Sequence, residues 1–284
     1  MKNKIITVLS IIIIIQSFFL IKLLKTGIKP KPLKQEASQA QKQTRPAEET
    51  PDETPPEKAR DQEKRIKIAI IIDDWGYNIK NLDILQTMRY PITLSILPNL
   101  AYSRRIDQEA HDLGFETMLH LPLEPHKSKN MALEKNTIMT TMTDKEIISI
   151  LKNALENIPH AKGVSNHQGS KATGDQRVIK TIFKILKEKD LFFVDSLTSK
   201  SVCAKVASEF NMKFAARSVF LDNQLNEKYI ENQMWILVKK AKSSGNAIGI
   251  GHDRRPTLEV LSRIMPSIAE NEGVEFVFAS ELTR

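Results

Sequence analysis

Several short, β-branched-rich runs in this 284-residue chain end in side chains that can do chemistry. IKIAIIID (66–73) runs into Asp73-Asp74-Trp75-Gly76, and ETMLHLP (116–122) carries His120 and is followed by Glu124. AKGVSNH (161–167) closes on Asn166 and His167, LFFVDS (191–196) on Asp195, KFAARSVFL (213–221) on Asp222, and AIGIGH (247–252) on His252. Two adjacent carboxylates such as Asp73 and Asp74 repel each other unless a cation or a shared proton intervenes. A divalent metal removes the repulsion: one acid can bind it while the other acts as a base on the metal-bound water. The alternative is that Asp74 caps the next helix, near Asn78. Three of the six histidines fall at these run ends, which favours a functional cluster over isolated structural imidazoles. His111 reads as an exposed helix residue, and His126 and His160 as loop residues.

Those runs are the strands of a repeating pattern. Between them lie amphipathic stretches near NLDILQTMR, RRIDQEAHDLG (104–114), EIISILKNALENI, RVIKTIFKILKEK, Val202–Phe210, EKYIENQMWILVKKAKSS and TLEVLSRIMP. Thr143 and Glu146 form a T-x-x-E capping box ahead of the third of these. With ITLSILP (92–98) and VEFVFAS (274–280), about eight strands alternate with helices over residues 65–284. Such alternation signals α/β architecture, a closed barrel or an open doubly wound sheet. In α/β barrels the reactive groups sit where strands end and loops begin, which is where these acids and histidines fall.

Composition narrows the function. The formal charge is +8, but residues 1–62 hold 11 of the 42 basic and 7 of the 34 acidic residues, leaving about +4 on the rest. Both signs are interspersed there and no basic block is interleaved with aromatics, so a nucleic-acid partner is not expected. Neither G-x-G-x-x-G nor a P-loop follows any strand. The single cysteine, Cys203, lies in the amphipathic SVCAKVASEF and is expected as a small buried hydrophobe.

The N-terminus is different in kind. Ile5 to Ile21 carries no charge and is flanked by Lys2 and Lys4 before it and Lys22 and Lys25 after it. That length is near the lower limit of about 17 residues for a bilayer span, and no clear A-x-A site follows. Residues 1–25 are therefore expected to be an uncleaved signal anchor, with cleavage and secretion as the alternative. Residues 26–64 are rich in Pro, Glu and Lys and are expected to form a disordered spacer. The lysines after the apolar run, taken alone, would favour a cytoplasmic C-terminal side. The short basic N-terminus favours the opposite.

IIIDDWGYN, HLPLEP, GVSNHQGS, FFVDS, VFLD and AIGIGH, in that order, resemble the divergent polysaccharide deacetylases over nearly all of residues 66–284. The resemblance implies a distorted (β/α) barrel of the polysaccharide deacetylase type, here preceded by the membrane helix and the linker. It implies a hydrolase of the cell envelope, extracytoplasmic or periplasmic, that removes N-acetyl groups from a polysaccharide or oligosaccharide with a divalent metal, commonly zinc. Asp73 would match the base, Asp74 the metal-binding acid, and His252 the histidine that assists the leaving amine. The better-known deacetylases place two metal histidines on one H-x-x-x-H segment, which this sequence lacks. His120 and His167, from separate strands, would complete the set with Asp74 and leave one position for water. Trp75, Glu124, Asn166, Asp195 and Asp222 are candidates for substrate contact or for orienting the ligands. Asp253, where relatives often carry proline, is expected to cap the following helix. The alternatives are a glycosidase using paired carboxylates, such as Asp73 or Asp74 with Glu124 or Asp195, and a non-catalytic glycan- or protein-binding module on an inherited barrel. Oligomeric state has no signature in the sequence.

Overall fold

A computed structural model describes residues 66–126, 132–198 and 200–284. The expected anchor (1–25) and spacer (26–64) lie outside the described residues. No helix among the described residues is long and apolar enough to cross a membrane.

Among the described residues, nine strands form one sheet in which every pairing is parallel. In chain order they are β1 (Ile66–Trp75), β2 (Thr93–Ile96), β3 (Glu116–Leu123), β4 (Gly163–Gln168), β5 (Phe192–Asp195), β6 (Phe214–Ala216), β7 (Val219–Phe220), β8 (Asn246–His252) and β9 (Val274–Val277). The helices are α1 (Leu82–Leu85), α2 (Ser103–Asp112), α3 (Asp144–Asn157), α4 (Gln176–Glu188), α5 (Cys203–Phe210), α6 (Glu227–Ser244) and α7 (Arg255–Glu272). The order across the sheet is β6-β5-β4-β3-β2-β1-β8-β7, with β9 paired to the first residues of β1. This is a parallel-strand half-barrel with helices.

The pleat decides what each strand offers. Ile68, Ile70 and Ile72 of β1 point outward into the layer shared with the helices, while Ala69 and Ile71 point inward. The same division holds for Leu119 and Leu121 against Met118, for Phe193 against Phe192 and Val194, and for Ala247 against Ile248 and Ile250. The inward residues meet Val277, Ala279 and Leu282 from the C-terminal segment, which fills the floor of the half-barrel. Ala279 N–H donates to Thr93 Oγ1 at 3.0 Å, and Phe214 and Arg284 exchange backbone hydrogen bonds.

Three boundaries differ from expectation. KFAARSVFL is not one strand: Arg217 N–H donates to Asp195 O of β5, whereas Ser218 N–H donates to Ile248 O of β8. The segment thus turns from one edge of the sheet to the other, bridging both within two residues. α7 does not stop at Pro266 but continues to Glu272. Met265 and Ile268, on either side of the proline, are fully buried, and that packing outweighs the roughly 3 kcal/mol cost of an interior proline. VEFVFAS is strand only to Val277, after which the chain turns into a short 3₁₀ helix, Ala279–Leu282. The capping box is present, with Thr143 Oγ1 accepting from Glu146 N–H and the Glu146 carboxylate from Thr143 N–H at 2.7 Å. Cys203 is buried on α5, its thiol pushed up to about 12 by burial.

Candidate metal centre at the mouth of the half-barrel

The inward positions that are apolar at the floor become polar one step higher. Ala69 and Ile71 lead to Asp73, Met118 leads to His120, and Ile248 and Ile250 lead to His252. On β4 the outward Val164 leaves Ser165 and His167 inward, and on β2 the outward Leu94 and Ile96 leave Ser95 inward. Parallel strands carry all these residues to the same end.

Asp74 breaks the alternation. Regular extended backbone would turn it outward, but it sits at φ +66° where the β1–β2 register shifts between Ile72 and Trp75. A bulge of this kind re-aims one side chain, and a non-glycine residue in the left-handed region carries a conformational cost that marks functional positions. Both acids of the pair thereby face one cavity. Trp75 then turns outward into the core with no exposed surface. Trp75 is therefore a core residue and not the substrate-contact candidate that its place at a strand end suggested. The N-cap of α1 is Asn81, so Asp74 does not cap that helix.

Three ligand atoms converge. Asp74 Oδ1 lies 3.0 Å from His167 Nδ1 and 3.3 Å from His120 Nε2, and the two nitrogens are 3.2 Å apart. Metal–ligand bonds of 2.0–2.1 Å in tetrahedral geometry put neighbouring ligand atoms about 3.3 Å apart. The observed triangle has those dimensions. Asp74 Oδ1 is buried and, by hydrogen-bond geometry, has no partner among the described residues, as is also true of Asp73 Oδ1. Asp74 Oδ1 approaches both nitrogens without donor alignment, while His167 Nδ1 and His120 Nε2 meet at hydrogen-bond distance. The donor set therefore fits a divalent ion of the zinc type. Burial opposes ionisation of Asp74, but the two imidazoles against it prevail and hold its carboxyl well below the usual range. Asp74 and His167 are partly accessible, while His120 and Asp73 are sealed behind them.

Asp73 stands apart from the triangle, its Oδ1 3.6 Å from His120 Nδ1. Its pKa is raised, chiefly by burial and further by Asp74, against the pull of His120 and His252. His252 is held by Asp222: Nδ1 contacts Asp222 Oδ1 at 2.7 Å, and His252 N–H donates to Asp222 Oδ2 at 2.9 Å. Thr257 Oγ1 donates to the same oxygen at 2.7 Å. Gly251 permits this packing, because a Cβ there would lie 2.9 Å from the Thr257 methyl. Burial works against the imidazolium, yet Asp222, aided by Asp73 and Asp74, raises the His252 pKa. Asp222 in turn is lowered by the imidazole despite its burial.

The remaining sequence candidates serve the loops. Glu124 pairs with Lys171 at 2.7 Å and accepts from Thr140 N–H and Oγ1. Asn166 accepts from Ser196 N–H and donates to Gln168 O. Asp195 accepts from Leu197 N–H and Ser201 Oγ. None of the three belongs to the triangle. Asp253 does not cap α7, whose N-cap Arg254 makes no side-chain cap. Its carboxylate accepts from Asn81 Nδ2 at 2.7 Å, its own N–H donates to Asp73 O, and burial raises its pKa to about 6. In the N-H-x-G-S run, Gly169 takes φ +88° with Leu123 too close for a Cβ, and Ser170 Oγ accepts from His126 N–H.

Two residues escaped the sequence reading. Ser165 Oγ lies 2.7 Å from His120 Nδ1, and Ser95 Oγ lies 2.8 Å from Ser165 Oγ, all fully buried or nearly so. The signal was available: ITLSILP places polar Thr93 and Ser95 at the inward positions of an otherwise apolar strand. Arg217 also approaches the rim, its guanidinium 3.6 Å over the Phe220 ring, which stacks on His252.

The structure is an α/β half-barrel of parallel strands with an Asp/His/His triangle, a buried acid and an acid-paired histidine at its carboxyl end. The match to the divergent polysaccharide deacetylase model extends over residues 70–283, and the chain belongs to that family. It is 34% identical over 217 residues to the uncharacterised protein YibQ of Escherichia coli K12, covering 76% of this chain and 67% of that one. An uncharacterised protein of Haemophilus influenzae Rd is 32% identical over 206 residues, covering 72% of this chain and 73% of its own. Among solved structures, an uncharacterised protein of Agrobacterium tumefaciens C58 superposes with a TM-score of 0.73 at 22% identity. The superposition covers 77% of this chain and 89% of that one, and it shows the fold.

Proposed function

We propose that the protein is a metal-dependent hydrolase that removes N-acetyl groups from a cell-envelope polysaccharide or a related amidated sugar. The observation that carries this reading is the triangle of Asp74 Oδ1, His120 Nε2 and His167 Nδ1, flanked by Asp73 and by His252. Asp74, His120 and His167 would hold a divalent ion, zinc by the nature of its donors. Such an ion, when bound, polarises the acetyl carbonyl and makes water nucleophilic near neutral pH.

The chain's own residues do the rest. Asp73, buried and without a hydrogen-bond partner at Oδ1 among the described residues, takes a proton from the attacking water. His252, whose imidazolium Asp222 favours, gives a proton to the sugar nitrogen as the C–N bond breaks. Each positioned acid or base contributes about 10²- to 10⁴-fold. The glycosidase alternative has less support: Glu124 and Asp195 are engaged in loop contacts rather than standing opposite Asp73. On this reading the apolar N-terminus tethers the domain to the membrane on its extracytoplasmic face, and the Pro/Glu/Lys-rich spacer gives it reach to the glycan.

Acetate release from N-acetylated envelope glycans by the full-length protein tests the reaction. Release that stops in chelator and returns with zinc is the expected result. Release that continues unchanged in chelator, or none from any such glycan with zinc supplied, would remove this function.

A further inference from the structure

His120 has two ring nitrogens with different tasks. Nε2 faces Asp74 Oδ1 and His167 Nδ1, whereas Nδ1 faces away from them. An imidazole can offer a lone pair at Nε2 only if the proton of the neutral ring sits on Nδ1, so some group behind the ring must accept that proton. Two candidates lie there: Ser165 Oγ at 2.7 Å and Asp73 Oδ1 at 3.6 Å. The shorter contact is the serine.

A hydroxyl that accepts from Nδ1–H must turn its own hydrogen elsewhere. Ser95 Oγ, 2.8 Å from Ser165 Oγ, is the partner in place, and both serines have no exposed surface, so no solvent competes. Ser95 lies at an inward position of β2, the strand paired with β1, whose inward face carries Asp73. The contacts therefore allow one consistent polarity, from His120 Nδ1–H to Ser165 and from the Ser165 hydroxyl to Ser95.

We propose that Ser165, backed by Ser95, is a positioning residue that holds His120 in its Nδ1–H tautomer with Nε2 aimed at the point shared with Asp74 and His167. Ser165 also keeps the ligand and the base apart. Without its hydroxyl, the nearest acceptor for Nδ1–H is Asp73 Oδ1, and a ring that turned towards it would leave the triangle and occupy the acid meant for water. The inference rests on the metal reading above and deepens it.

The test uses the full-length protein, zinc as the probe, and ¹⁵N NMR of the His120 ring in the metal-free state. Ser165→Ala is expected to bind zinc about 10- to 100-fold more weakly, the usual cost of removing a partner that orients a metal ligand. Its His120 should lose the preference for Nδ1–H. Ser165→Thr, which keeps the hydroxyl, should restore both. Ser95→Ala should weaken binding less, and the double variant should be no worse than Ser165→Ala alone, because one chain is broken only once. If Ser165→Ala does not fold, Ser95→Ala decides, and unchanged affinity and tautomer there overturn the proposal. Wild-type affinity together with an unchanged tautomer in Ser165→Ala overturns it directly. Should the wild-type protein bind no zinc, the metal reading fails by itself; the tautomer in Ser165→Ala then decides the serine's role.

Discussion

The floor and the mouth of the half-barrel are built by the same strands and obey opposite rules. At the floor, inward positions are filled by Ala69, Ile71, Met118, Phe192, Val194, Ile248 and Ile250, closed by Ala279 and Leu282. A step or two higher, the same pleat presents Asp73, His120, His167 and His252. The mouth also holds a bulged aspartate at positive φ and two buried carboxylate oxygens without hydrogen-bond partners among the described residues. Packing alone would not retain such features, since each lowers stability. The contrast teaches that the floor supplies the rigidity with which the mouth tolerates strain and unpaired charge.

The sharpest way to break the comparison is to change one residue of each kind. Asp73→Asn keeps the shape of a side chain that is almost fully buried and removes the proposed base. It should lower kcat by roughly 10²- to 10⁴-fold while the thermal unfolding midpoint stays near that of the wild type. A variant that kept its rate would take the base role from Asp73. Ile71→Ala, two residues earlier on the same inward face, should do the converse. Its loss of stability should be about 2–5 kcal/mol, as for other buried large-to-alanine changes, read from denaturant unfolding, with catalysis largely retained in the molecules that remain folded.

A smaller effect separates two members of the mouth. His252 owes its raised pKa to the Asp222 carboxylate, against burial. If His252 is the proton donor proposed above, it acts below its pKa, so kcat/KM should fall as pH rises through it. Asp222→Asn removes the charge that favours the imidazolium, and the alkaline limb of the profile should move to lower pH. An unmoved limb would mean that another group delivers the proton.

Much of this division was legible in the sequence. Alternating apolar strands ending in acids and histidines placed Asp73, Asp74, His120, His167 and His252 at one rim, because parallel strands share their direction. Cap chemistry at Thr143 and Glu146 was equally local and equally readable. What could not be read depends on contacts between distant segments. Nothing in DDWG announces that Asp74 adopts φ +66°, which carries it inward and sends Trp75 into the core. Asp222 reaches His252 only because β7 and β8 are neighbours. Glu124, Asn166 and Asp195 look like site residues by position, but their hydrogen bonds tie loops together. The split of β6 from β7 arises because consecutive N–H groups pair with different strands, which no local propensity encodes.

Central to the account is that Asp74, His120 and His167 hold one divalent ion between them. Zinc titration of the full-length protein, with Asp74→Ala and His167→Ala alongside, tests this most directly. One zinc per chain in the wild type and loss of tight binding in both variants is the predicted result. Equal zinc affinity in all three proteins, or no zinc bound by the wild type, would contradict it.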